Sequence, residues 1–261
     1  MTGVLPDILA RIVDRKQAEL RACRSRLAEF ERLAESARAG RRDFRTALRG
    51  PSPAVIAECK KASPSKGVLV PGYEPAGIAR HYEAGGAAAI SVLTDSDFFQ
   101  GSLADLQAVK AAATLPILRK DFTLDEFHVV EAAAHGADAI LLIAAILPAG
   151  RIRALRTLAR DYGMAVLVEV HDEAEMDRAV EADADIIGVN NRDLRTFEVR
   201  LETSEKLACR MPAGAIRVAE SGIHGPRDVA RLRAAGYHAF LVGEHLMRSE
   251  DPAVALRELR R

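Results

Sequence analysis

From residue 54 onward the chain alternates short, almost wholly apolar stretches with amphipathic ones. The apolar stretches predict strands near 54–58, 87–93, 116–119, 138–143, 164–168, 185–189, 215–219 and 238–242. Helical periodicity follows each, near 75–84, 102–112, 125–134, 149–160, 173–181, 202–208, 226–234 and 252–260. The strands are continuous in apolar residues rather than alternating, as expected of strands buried on both faces of a parallel sheet. Eight strand–helix units fit a closed α/β architecture, a (β/α)8 TIM barrel, better than an open doubly wound sheet.

An internal echo supports closure. GAAAISV from Gly86, GADAILL from Gly136, DADIIGV from Asp183 and GYHAFLV from Gly236 resemble one another. Each joins a helix end to an even-numbered strand, so the repeat is two strand–helix units long.

Residues 1–50 have a different texture. Ile8, Ile12, Leu20, Cys23, Leu27, Phe30 and Ala34 fall mostly three or four apart, which predicts one long helix or two short ones from 7 to about 38. Gly50, Pro51 and Pro53 mark a boundary, so the expected division is a helical extension over 1–50, packed on a barrel over 51–261. The extension holds 12 Arg/Lys against 7 Asp/Glu, whereas the 261-residue chain as a whole has zero net charge. That balance favours neither nucleic acid nor an anionic membrane, and the absence of Trp with only 5% aromatic residues argues against a base-stacking platform. No apolar run approaches the ~20 residues of a membrane helix. Three cysteines with no C-x-x-C pair point to a reduced, cytoplasmic protein, and no targeting segment is apparent.

Chemistry collects at the strand ends. In such barrels the C-terminal ends of the strands carry function and the opposite face carries stability. The first strand ends in Glu58 and Lys60, with Ser63 beyond; the third in Arg119, Lys120, Asp121 and Phe122; the fifth in Glu169 and His171. The sixth ends in Asn190, Asn191 and Arg192, the seventh in Glu220, Ser221 and Gly222, and the eighth in Gly243 and Glu244. If alternation turns Glu58 and Lys60 toward the axis, they share one small volume with Lys120 and Glu169, a set suited to acid–base work. Gly222 and Gly243, each read as lying just before a helical segment, suit a phosphate dianion; Ser63 or Lys60 completes the cradle, and Glu244 contributes through its backbone N–H. Ser63-Pro-Ser-Lys66 satisfies S-x-x-K but lacks the partner motifs of a serine acylase. No H-E-x-x-H, dinucleotide or P-loop motif is present, and His171-Asp172-Glu173 reads as a helix start.

The blocks AECKKASPSKG, LTDSDFFQGS, LRKDF, LVEVHD, IIGVNNRDLRTF, AESGI and LVGEHLMR, in that order, resemble the signature of the indole-3-glycerol-phosphate synthases of tryptophan biosynthesis. The resemblance spans nearly the whole barrel. It implies conversion of 1-(2-carboxyphenylamino)-1-deoxyribulose 5-phosphate to indole-3-glycerol phosphate, CO₂ and water, with no metal and no organic cofactor. It implies Lys120 as the acid that protonates the ketone oxygen during ring closure, and Glu169 as a base or a stabiliser of the cationic intermediate. Glu58 and Lys60 match the first-strand pair, with Lys60 also a proton donor in dehydration. Asn190, Arg192, Phe122, Glu220 and Ser221 match substrate-binding positions, and Ser63, Lys60, Gly222, Gly243 and Glu244 the phosphate site. Ser96, Asp97, the TLDEFHV segment and His245 depart from the family pattern without removing a catalytic group. The expected partner is a phosphorylated small molecule bound by a monomer. Another sugar-phosphate isomerase or aldolase, with Lys120 as a Schiff base, and a non-catalytic binding barrel are the alternatives.

Overall fold

The computed structural model describes residues 6–50, 53–64 and 66–261; Pro51 of the boundary and Ser65 of the first-strand block lie outside them. Eight parallel strands close into a barrel: β1 Ala54–Cys59, β2 Ala89–Leu93, β3 Ile117–Lys120, β4 Ala139–Ile143, β5 Ala165–Val170, β6 Ile186–Asn190, β7 Ile216–Glu220 and β8 Ala239–Val242. Each pairs with its sequence neighbours, and the Ala54–Ala239 register joins β8 to β1. This confirms the expected barrel. A two-residue hairpin, Ala62–Ser63 with Gly67–Val68, rises beyond β1.

Seven of the eight strands begin a residue or two later than expected, while five run further at the other end. Lys120, Glu169, Asn190 and Glu220 are ladder residues rather than loop residues, because neighbouring strands still supply pairing there: Leu93 to Lys120, Ile143 to Glu169, Asn190 to Glu220.

The echo has a physical cause. Gly86, Gly136, Asp183 and Gly236 all have positive φ, from 57° to 93°. Each ends its helix in a paired arrangement, as where Gly86 N–H donates to Glu83 and Ala87 N–H to Tyr82. That is the left-handed cap that lets a chain leave a helix and turn into the next strand, and glycine adopts it without strain.

The extension forms two helices, α1 Asp7–Cys23 and α2 Leu27–Ala37, joined by a tight turn at Arg24–Arg26, then a short α3 at Phe44–Ala47. Phe30 of α2 meets Phe127 edge-on at 5.6 Å. Phe44 and Leu48 are buried in the same cluster as Ile56, Leu118, Leu167, Ile186 and Leu241, so α3 plugs the N-terminal end of the barrel interior. The basic residues nearby are committed to carbonyls. Arg41 donates to Ala133 and Tyr162, Arg42 to Lys110 and Leu115, and Arg49 to Gly214, while Arg45 pairs with Asp185. Several of these carbonyls end helices, where partial negative charge attracts cations. The positive balance of the extension is thereby spent largely on architecture.

Candidate active site

Alternation fixes the site. Inward positions run from apolar at the N-terminal end to polar at the C-terminal end: Ala54, Ile56, Glu58 on β1; Leu118, Lys120 on β3; Leu167, Glu169 on β5; Ile186, Gly188, Asn190 on β6; Val218, Glu220 on β7. Outward residues of the same strands, such as Val55, Ala57 and Cys59, belong to the layer beneath the helices. Glu58 and Lys60 do lie toward the axis, and both line a cavity of about 430 Å³.

All the residues expected at the site line this one cavity: Glu58, Lys60, Ser63, Lys120, Phe122, Glu169, Asn190, Arg192, Glu220, Ser221, Gly222, Gly243 and Glu244. Lys120 Nζ lies 3.0 Å from Glu169 Oε2 and 3.8 Å from Glu220 Oε2. Lys60 Nζ donates to Glu58 Oε1 at 2.6 Å. Asn190 Nδ2 donates to Glu169 Oε1 at 3.2 Å, and Asn190 Oδ1 accepts from the Ser221 hydroxyl at 2.8 Å.

These neighbours drive the two central carboxyls apart. Burial penalises the Glu169 anion, but the Lys120 charge and the His171 contact outweigh it and hold this carboxyl well below its usual range. Glu220 is pushed up to about 8 by burial and by the Glu169 charge, with Lys120 only partly compensating. Burial likewise works against the Lys120 ammonium, yet Glu169, Glu220 and Glu58 together raise its pKa. One site therefore presents an ionised carboxylate, a protonated carboxyl and an ammonium within one cluster, the separation of roles that acid–base chemistry requires.

Space is reserved for this cluster. A Cβ on Gly188 would lie 2.1 Å from Glu220 Oε1, and one on Gly243 would lie 2.4 Å from Glu58 Oε1. Gly222 has φ 77°, and a Cβ there would meet Val199 at 2.5 Å.

One expectation needs correction, and two further side chains need placing. Gly222 does not begin a helix, since Ile223–Gly225 separate it from the helix at Pro226–Ala234; only Gly243 directly precedes one, Glu244–Met247. Asn191 points away from the cavity, accepting from the Ser204 N–H and hydroxyl and donating to the Glu220 and Ser221 carbonyls. It is a strut that fixes the end of β7. The Glu244 carboxylate pairs with Lys66 and, at 3.4 Å, with Arg248. Its charge is thereby offset, and its first-turn amide is left for an anion.

The sequence reading missed Lys66, which lines the cavity, although it lies in the quoted first-strand block. It also missed the role of α1, whose Ile8, Leu9 and Ile12 form an apolar wall of the cavity. Their helical spacing was visible, but spacing alone does not say which surface the stripe covers. Lys16, one turn along, is 5% exposed and reaches Asp121, the residue after Lys120, at 2.9 Å.

A family model described as indole-3-glycerol phosphate synthase matches residues 9–259. Indole-3-glycerol phosphate synthase of Dechloromonas aromatica is 50% identical over 98% of this chain and 99% of its own length. That of Chromobacterium violaceum is 51% identical over 98% of each chain. Among solved structures, a thiamine phosphate pyrophosphorylase from Pyrococcus furiosus superposes with a TM-score of 0.59 at 19% identity, covering 82% of this chain and 96% of that one, a likeness of fold. With a barrel whose inner strand ends carry the expected charges, and relatives matching nearly end to end, the chain belongs to the indole-3-glycerol phosphate synthase family.

Proposed function

We propose that the chain acts as a carbon–carbon lyase on 1-(2-carboxyphenylamino)-1-deoxyribulose 5-phosphate, using the Lys120–Glu169–Glu220 cluster. The observation that carries this reading is the 3.0 Å contact of Lys120 with Glu169 and its 3.8 Å approach to Glu220, all on inner strand ends. The ring carbon bearing the carboxylate attacks the ketone carbon, and Lys120 delivers a proton to the ketone oxygen as the bond forms. The resulting cation is stabilised by the Glu169 carboxylate. Breakage of the bond to the carboxylate releases CO₂, and its electron pair returns to the ring. Departure of the hydroxyl as water needs a second acid, supplied by Lys60 from its pair with Glu58, and a base for the adjacent C–H proton, supplied by Glu169. The sum is loss of one CO₂ and one water, which leaves the indole.

Asn190, Arg192, Phe122 and Ser221 orient the substrate, with Glu220 as a neutral hydrogen-bonding carboxyl. The phosphate lies against Ser63, Lys60, Gly222, Gly243 and the Glu244 amide, with Lys66 adding charge at the rim. The apolar wall from α1 excludes water, which strengthens each charge interaction. The division at residue 50, with the extension as cover and plug and the barrel as catalytic body, follows from the same reading.

The test is product stoichiometry. Purified protein with this substrate should release CO₂ and form indole-3-glycerol phosphate in equal amounts, followed by indole fluorescence over the low background of a chain without Trp. Borohydride trapping of a Lys120 adduct with no indole formed would favour a Schiff-base aldolase instead.

A further inference from the structure

We propose that His171 is a positioning residue that holds the Glu169 carboxylate in place and ionised, through a buried chain Glu175–His171–Glu169. This rests on the catalytic role given to Glu169 above. His171 follows β5 by one residue, where the helix Glu173–Glu181 is about to begin. Its ring Nδ1 lies 2.9 Å from Glu175 Oε2, and the same oxygen accepts the His171 backbone N–H at 2.9 Å. Glu175 is itself fixed, because its N–H donates to the Asp172 carboxylate at 2.8 Å, the helix N-cap. In an ordinary capping box the glutamate at this position turns back to the cap residue; here it turns one residue further, to grip the histidine.

On the other side of the ring, Nε2 lies 3.2 Å from Glu169 Oε1. It is buried and has no aligned acceptor among the described residues, so the contact acts as charge against charge. Both ring nitrogens thus face carboxylates. Only the imidazolium satisfies both, since a neutral ring would turn a lone pair toward one of them. Burial opposes that charge, but Glu169 and Glu175 overcome it and raise the ring to about 10. The other charges around the pair are Lys120 on β3, Glu220 on β7 and Asp172 at the N-cap of the helix that His171 precedes, while Arg178 of that helix lines the same outer cavity as His171.

The consequence concerns where a proton goes. Lys120 and Glu169 lie 3.0 Å apart, so an acid and a base of the same reaction are in direct contact. If Glu169 gained basicity, Lys120 could lose its proton to it and deliver none to substrate. The imidazolium, together with the Asn190 amide, keeps Glu169 a weak base until Lys120 has protonated the ketone. After that transfer it leaves Glu169 with a cation partner that Lys120 no longer provides.

Three variants test this. His171→Asn keeps a polar side chain but no cation, and should lower kcat by ~10–100-fold, the range for outer partners that orient a reactive group. KM should change by less than ~3-fold, and the acid limb of kcat/KM should move up by about one pH unit or more, as Glu169 becomes easier to protonate. Glu175→Gln removes one of the two carboxylates that raise the ring. It should bring a new basic limb down from about 10, as His171 now loses its proton more readily; this variant carries the test if His171→Asn does not fold. A folded His171→Asn with kcat within ~2-fold of the parent, or a fall in kcat with no displaced limb in either variant, would overturn the proposal. Glu169→Gln separates the two readings: full activity there removes the role of Glu169 itself, and this proposal with it.

Discussion

Replacing Lys16 with Met removes one buried charge while keeping an unbranched apolar stem of similar length. Lys16 Nζ lies 2.9 Å from Asp121 Oδ1, 3.1 Å from Asp95 Oδ2 and 3.1 Å from Glu19 Oε2. Glu19 is partly exposed and can rehydrate, so its loss is minor. Asp121 keeps Arg119 at 3.0 Å and the Thr94 hydroxyl at 2.5 Å on its other oxygen. Asp95 is fully buried; its Oδ1 caps Phe98 N–H, but its Oδ2 keeps no other partner among the described residues. Breaking a buried ion pair costs about 3–5 kcal/mol. With one of the two buried carboxylates still compensated, the lower end applies, about 3 kcal/mol. At ~2–4 °C per kcal/mol for a domain near this size, the melting temperature should fall by roughly 6–12 °C. The double variant Lys16→Met with Asp95→Asn replaces the stranded carboxylate by an amide and should recover about half of that loss. Urea denaturation followed by far-UV circular dichroism measures both. A single variant losing less than ~1 kcal/mol, or a double variant less stable than the single, would refute the reasoning. Because α1 also walls the site with Ile8, Leu9 and Ile12, KM should rise in the single variant at temperatures where it is fully folded.

Other consequences are similarly direct. Gly188→Ala would place a Cβ 2.1 Å from Glu220 Oε1, which must move by about an ångström; kcat should fall ~10–100-fold with the circular dichroism unchanged. Asp183 holds φ 57° where the corresponding positions of the echo have Gly, so Asp183→Gly should raise unfolding stability by about 0.5–1 kcal/mol in a denaturant titration. Glu220 is raised from 4.5 to about 8, so between those values the folded chain holds a proton the unfolded chain has released. Its share of stability is therefore full below 4.5 and is lost as pH rises to about 8, and Glu220→Gln should remove that slope from a plot of unfolding free energy against pH.

The barrel was legible because burial on both faces writes itself into the sequence as unbroken apolar runs, and parity then assigns Glu58, Lys120 and Glu169 to the axis. What the runs did not show is where the ladder stops. Pairing depends on the neighbouring strand, so Glu220 remains in β7 although the apolar run ends before it. Asn190 and Asn191 look alike in sequence, yet alternation sends one to the substrate cavity and the other to Ser204. His171 read correctly as the approach to a helix, but its contact with Glu169 depends on where the ring turns once Glu175 grips it. Lys16 lay on a polar face of a helix with an apolar stripe. Its burial comes from Asp95 and Asp121, about 80 and 105 residues away in sequence, a distance that no local pattern spans.

In the proposed mechanism Lys120 is the acid of ring closure, held against Glu169 and Glu220. Steady-state indole formation by Lys120→Ala beside the parent, with folding checked by circular dichroism, tests it. A parent that turns over and a folded variant slower by ~100-fold or more is the predicted result, the scale expected for loss of a positioned general acid. A folded variant within ~3-fold of an active parent would contradict it.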